Sequence, residues 1–254
     1  MTEGLALRHI SVHFGGLTAL DDISLDVPPG AVVGVIGPNG AGKTTLFNVV
    51  CGFVRPETGT MTLDGQPLRP RPQQLTRLGI ARTLQGIGQF SGLTVLENVM
   101  AGAGRDARTG VLSALFSMPR TDRDEHRLRD AAMSALRTCG VAEYAAARPD
   151  GLPYAVRKRV GLARALVARP RILLLDEPAG GLGAQEIDEL ATLISGLHCS
   201  VLVVEHHMDL VMSICDRILV LDFGKQVAIG TPTEVSADPA VAEAYLGADA
   251  GQPQ

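Results

Sequence analysis

The sequence predicts an α/β fold: a mostly parallel sheet covered on both faces, an antiparallel β edge near the N-terminus, and an inserted α-helical subdomain. Three observations predict it. First, Val32-Val33-Gly34-Val35-Ile36 is an unbroken apolar run, as expected of a strand buried on both faces. Second, similar runs return at residues 172–175, 201–204 and 218–221, alternating with helical stretches at 184–197 and 207–214. That βαβ rhythm belongs to a parallel sheet. Third, residues 95–166 change character and read as mostly helix, rich in Ala, Arg and Leu.

The remaining elements follow in order. Residues 5–12 and 23–27 alternate like half-buried strands, with a turn at Phe14-Gly15-Gly16 between them and another at Pro28-Pro29-Gly30. A helix is expected over 43–50, stopped by Gly52, and short strands over 59–63 and 80–84. Thr121-Asp122-Arg123-Asp124 resembles a capping box and predicts a helix opening there and running towards Leu136. The expected division is one lobe from 1–94 and 164–249, a helical lobe from 95–163, and a frayed tail over 250–254.

Composition narrows the function. A net charge of −4 and a pI near 5.9 disfavour a nucleic-acid partner, which calls for a basic surface. Cys51, Cys139, Cys199 and Cys215 are widely spaced, without zinc-ligand spacing, and read as small buried hydrophobes in a reducing compartment. Met1-Thr2-Glu3-Gly4 shows no basic-then-apolar leader, and no apolar run approaches a bilayer span of about 18–20 residues. Work at a membrane would need other chains to do the spanning.

Two motifs carry chemistry. Gly37-Pro38-Asn39-Gly40-Ala41-Gly42-Lys43-Thr44 fits G-x-x-x-x-G-K-[ST], placed after a buried strand and before a helix. Its glycines let successive backbone N–H groups point at phosphate oxygens, and the helix adds its positive end. Lys43 would put a charge on the β- and γ-phosphates, and Thr44 would offer a hydroxyl to Mg²⁺. Thr45 closes the nucleotide-binding set. The second motif, Ile172-Leu173-Leu174-Leu175-Asp176-Glu177, ends an apolar strand in two carboxylates, where ligands of such sheets sit. Asp176 would belong to the Mg²⁺ shell, and Glu177 would orient and deprotonate an attacking water. ATP and Mg²⁺ are the implied ligands.

In this order the motifs resemble the ABC ATPase family across nearly the whole chain. The resemblance implies a P-loop, RecA-like core. It also implies that Phe14 stacks on adenine, that Gln85 senses Mg²⁺ and the γ-phosphate, and that His206 contacts the γ-phosphate as a switch histidine. Phe14-Gly15-Gly16-Leu17-Thr18-Ala19-Leu20, the run Ala81 to Gln85, a helical insertion around 111–118 and Ala244-Tyr245-Leu246-Gly247 are similar to ATPases importing branched-chain amino acids. Urea transporters and lipopolysaccharide exporters are neighbouring branches. The implied partners are transmembrane permease subunits, received near residues 85–96, a second ATPase subunit, and indirectly an extracytoplasmic solute-binding protein. The implied location is the cytoplasmic face of the cell membrane, peripherally through the permease.

The chain departs from that family in two loops. The signature loop reads Leu152-Pro153-Tyr154-Ala155-Val156, with Ala155 where the branch has Gly, and Arg157 and Gly161 where it has Gln and Glu. Pro153 offers neither hydroxyl nor N–H, and Ala155 could hold the backbone off a phosphate or forbid a positive φ. The D-loop, Ala179-Gly180-Gly181-Leu182-Gly183, has Gly183 where an Asp or Asn is usual. Intact motifs within the chain beside altered loops offered to a partner point to a heterodimer. The rivals are a non-transport ABC ATPase of DNA repair or translation, disfavoured by the lack of a long coiled-coil insertion, a second fused ATPase domain or a basic balance, and a degenerate, regulatory ATPase half.

Overall fold

The computed structural model describes residues 4–83, 88–103 and 119–249. The chain divides into two compact units: Met1–Leu75 with Leu174–Gly180 and Ile187–Gln254, and Thr76–Leu173 with Gly181–Glu186.

The first unit is built on a sheet. Strands β1 (Leu5–Phe14) and β2 (Leu17–Val27) form an antiparallel hairpin, and β4 (Thr58–Leu63) pairs antiparallel with β1. Strand β3 (Val32–Ile36) is buried along its whole length and runs parallel to both β8 (Ser200–Val204) and β9 (Arg217–Asp222). The two-residue β5 (Gln66–Pro67) closes one edge, and β10 (Lys225–Gly230) returns antiparallel to β9. The strand order is β5-β4-β1-β2-β10-β9-β3-β8, then β7 (Ile172–Asp176). The expected antiparallel edge and parallel centre are therefore one continuous sheet. Helix α1 (Lys43–Val50) buries Leu46, Phe47, Val49 and Val50, as an apolar helix face against a sheet must.

The second unit is mainly helical. It holds β6 (Ile80–Arg82), α2 (Val95–Met100), α3 (Pro119–Thr138) and α4 (Tyr154–Leu166). A wholly buried Asn98 pins the loop before α2. Its amide donates to the carbonyls of Phe90, Leu93 and Thr94, and its oxygen accepts from the Phe90 N–H.

One expectation fails. The third helix already includes Pro119, so Thr121 lies inside it rather than at the residue before its first turn. Proline suits a first turn, because its φ is already helical and its missing N–H would be unbonded there. Full capping boxes stand instead at Thr94 with Glu97, and at Thr231 with Glu234 ahead of α7 (Pro232–Ala237). Both use Glu, one methylene longer than the Asp124 that follows Thr121. The expected insertion around 111–118 and the tail 250–254 lie outside the described residues. Helices α5 (Ala184–Ser195), α6 (Met208–Ile214) and α8 (Pro239–Asp249) complete the chain. Among the described residues, no helix is long and apolar enough to cross a membrane.

Candidate active site

Within the first unit, three strand ends converge on one region. Strand β3 runs into the glycine loop, β7 ends in Asp176 and Glu177, and β8 runs into Glu205-His206-His207. Because β3 pairs with β8 in parallel register, Val35 opposite Val204, their following loops emerge at the same edge.

The glycine loop owes its shape to positions that reject a side chain. Gly37 has φ 146°, and a Cβ there would run into the Leu221 carbonyl. Gly42, the residue before α1, has φ 104°, and its Cβ would strike the Ala19 carbonyl. Ala41 is buried, and its N–H donates to Pro38. Asn39, Gly40 and Thr44 are exposed, while Pro38 and Thr45 are half-buried. Lys43 is buried, and its ammonium donates to the carbonyls of Gly37 at 2.6 Å and Pro38 at 2.8 Å. Burial lowers its pKa, and the nearby Glu177 charge pulls it partly back up. The Lys43 cation is thus held on carbonyl oxygens from which anionic phosphates could draw it.

Asp176 is buried at the end of β7. Glu177 follows in the left-handed region, φ 47°, a strained conformation for a residue with a side chain. Its N–H donates to Val204 at 2.9 Å, extending the β7–β8 pairing one residue past the strand. His206 is half-exposed, with Nδ1 3.6 Å from a Glu177 oxygen. The structure thus brings Lys43, Asp176, Glu177 and His206 to one place. Phe14 ends β1 opposite Leu17, both exposed, so its ring is open to a flat partner. Gln85 lies outside the described residues. For a divalent cation, the Thr44 hydroxyl and the Asp176 carboxylate are hard oxygen donors of the kind Mg²⁺ accepts.

Two residues near this site carry no sequence motif of their own. The carboxylate of Glu205 is fully buried and bonds the N–H groups of Ala179, His206 and His207. Glu205, His206 and His207 bring their ligand atoms within 4.8 Å, but three of the carboxylate's four lone-pair directions already face N–H groups. Those N–H contacts make the carboxylate a hydrogen-bonded link, or strut, between the two loops. Tyr245 on α8 has a buried hydroxyl that approaches the Gly37 N–H without full hydrogen-bond geometry. Burial raises its pKa, and the Gly37 N–H nearby draws it down. A charged residue directly after the apolar run 201–204 was the available signal for Glu205; Tyr245 had none beyond its segment.

In the second unit, α4 begins at Tyr154 with Pro153 as the preceding residue and no side-chain cap. Ala155 is helical with negative φ, so no positive φ is demanded of it. The Tyr154 ring packs against Gly181 and carries the Lys158 ammonium 5.6 Å above its centre. Residues 88 and 89 are tied to α4: Gln89 donates to the Arg157 carbonyl, and Arg164 to the Gly88 carbonyl.

The profile of the ABC transporter family matches residues 20–180, and that of the branched-chain amino acid ATP-binding cassette transporter matches 225–251. The high-affinity branched-chain amino acid transport ATP-binding protein LivG of Salmonella typhimurium is 41% identical over 248 residues, 96% of this chain and 97% of its own. BraF of Pseudomonas aeruginosa, described in the same words, is 40% identical over the same coverage. The crystal structure of the ADP conformation of MJ1267, an ATP-binding cassette of an ABC transporter, superposes with a TM-score of 0.84 at 29% identity, covering 97% of this chain and all of that one.

Proposed function

The chain belongs to the ABC transporter family of ATP-binding proteins, and from that membership we propose that it hydrolyses ATP to drive import of branched-chain amino acids or a similar small polar solute. The observation that carries the proposal is the meeting of Lys43, Asp176, Glu177 and His206 at one edge of the sheet. Lys43 leaves the Gly37 and Pro38 carbonyls for the β- and γ-phosphates, while the loop amides from Gly40 to Thr45 cradle them. Thr44 and Asp176 would hold Mg²⁺, which would neutralise phosphate charge, and the family resemblance assigns Gln85 to the same role. Glu177 orients a water in line with the γ-phosphorus and accepts its proton, and His206 donates to the γ-phosphate. Phe14 receives the adenine ring.

The chain works with permease subunits at the cytoplasmic face of the membrane, served by an extracytoplasmic solute-binding protein, and with a second ATPase subunit. Pro153, Ala155 and Gly183 favour a different chain as that subunit. The α4 amides at 154–156 have no intrahelical acceptors and remain available to a facing γ-phosphate, while the family's signature side chains are gone.

Two substitutions test the site. Lys43→Ala weakens ATP binding in calorimetric titration. Glu177→Gln keeps ATP but loses most phosphate release, because an amide cannot take the water's proton. Wild-type turnover by Glu177→Gln would remove Glu177 from the role. Leucine-dependent ATPase activity of the reconstituted transporter tests the substrate, and its absence with leucine, isoleucine and valine alike sinks that part.

A further inference from the structure

Strands β7 and β8 end side by side, and each runs directly into a loop carrying a reactive side chain. Glu205 joins the two loops. Its side chain is fully buried, and no cation pairs with it among the described residues. One carboxylate oxygen accepts from Ala179 N–H at 2.9 Å. The other accepts from His206 N–H at 2.9 Å and His207 N–H at 3.3 Å. The Glu205 backbone N–H points at Val35 of β3, the strand leading into the glycine loop, at 3.4 Å.

A buried carboxylate is costly unless its charge is met by hydrogen bonds, and an apolar side chain would fill the space more cheaply. What the charge supplies here is geometry. Glu177 sits in a strained left-handed conformation, which persists only where its surroundings over-determine it. Its own N–H is held by Val204, and its carbonyl by Gly180 N–H at 3.2 Å. Glu205 adds a hold two residues along, at Ala179, while anchoring the amide of His206 itself. The 3.6 Å approach of His206 to Glu177 depends on both loops keeping their places.

We infer that Glu205 is a positioning residue that locks the switch histidine and the loop after the catalytic glutamate into one unit. The inference rests on the roles proposed above for Glu177 and His206. Glu205 touches no nucleotide and acts through His206 and the segment 177–179. Glutamine cannot replace it: whichever way its amide turns, one loop's N–H meets an NH₂ group instead of an oxygen. Aspartate keeps the charge but is one methylene too short to span both loops.

The test compares wild type, E205Q, E205D, H206A and E205Q/H206A as full chains in the reconstituted transporter, with ATP binding to each full chain followed by calorimetry. E205Q is expected to lose about tenfold in kcat, the scale of one lost charge-assisted hydrogen bond, with KM and ATP affinity within about twofold of wild type. E205D falls between the two, and carries the same expectation should E205Q not accumulate folded. In the H206A background, E205Q adds less than its full tenfold, because the part of its effect that runs through His206 is already lost. A kcat at the wild-type value in E205Q, a loss in KM alone, or a full multiplicative loss in the double variant overturns the strut. If H206A is impaired while E205Q is not, the strut falls alone. If H206A itself turns over like wild type, the reading of His206 falls and takes the strut with it.

Discussion

The glycine loop before α1 and the loop at the head of α4 both present backbone N–H groups, yet they tolerate change very differently. In the first, the backbone conformation itself excludes side chains: Gly37 and Gly42 have φ 146° and 104°, with carbonyl oxygens where a Cβ would stand. In the second, Ala155 is an ordinary helical residue with negative φ, and Pro153 sits at φ −52°, a value proline prefers. A motif enforced by its own backbone geometry admits little variation in sequence. A motif whose residues lie in plain helix can drift while the amides stay in place.

The sharpest test of that contrast is Gly37→Ala. A methyl driven into the Leu221 carbonyl at φ 146° should cost about 3 kcal/mol or more and abolish measurable ATP binding. Thermal unfolding with and without ATP reads both effects. A variant that melts like wild type and is still stabilised by ATP would break the comparison on its rigid side.

The second unit has a rigid point of its own. Asn98→Ala removes four hydrogen bonds and leaves Phe90 N–H and three carbonyls without their side-chain partner, at an expected cost of about 2–4 kcal/mol. Denaturant unfolding measures it. A loss below half a kcal/mol, about the noise of a surface substitution, would mean the loop 90–94 holds itself.

What the sequence disclosed follows the same division. The glycine loop and the strand-end carboxylates were legible because each is local: adjacent residues make the shape and carry the chemistry. The buried strands β3, β7 and β8 were legible because apolar runs of that length have few other uses. Glu205 was not, because its meaning lies in Ala179, 26 residues away, which only strand pairing brings near. The cap proposed at Thr121 failed because a Thr-x-x-acid pattern ignores the proline two residues before it. The feared strain at Ala155 failed because the family pattern says which residue is usual there and nothing about its φ.

Glycine itself provides the next test, since Gly161 is the opposite of Gly37. It lies inside α4, and a Cβ there would meet nothing within 4 Å. Gly161→Ala should therefore stabilise the protein by about 0.5–1 kcal/mol, through helix propensity and a less flexible unfolded chain. The midpoint of urea unfolding reports it. A destabilised variant would reveal a contact at 161 that helix geometry does not require.

The smallest expected effect, and the one that bears most on partnership, is Ala155→Gly. With no positive φ to relieve, glycine gains nothing from backbone strain and loses helix propensity, so stability should fall by at most about 1 kcal/mol. Any gain must come from removing the methyl between the amides of α4 and a facing phosphate. If the altered loop limits a pair made of two copies of this chain, turnover by the chain alone should rise about three- to tenfold, the scale of one ordinary hydrogen bond. A partner ATPase with the family's usual signature loop should raise it further without any substitution, because the site using this chain's Lys43, Glu177 and His206 then faces an unaltered loop. The two measurements separate the alternatives. Vigorous turnover by the unpartnered wild-type chain, unchanged by Ala155→Gly, would show that the helix amides alone suffice and that the chain pairs with itself. Weak turnover rescued by the partner but not by Ala155→Gly would move the deficit to Pro153 or Gly183, where a missing hydroxyl or carboxylate, rather than an added methyl, is the difference.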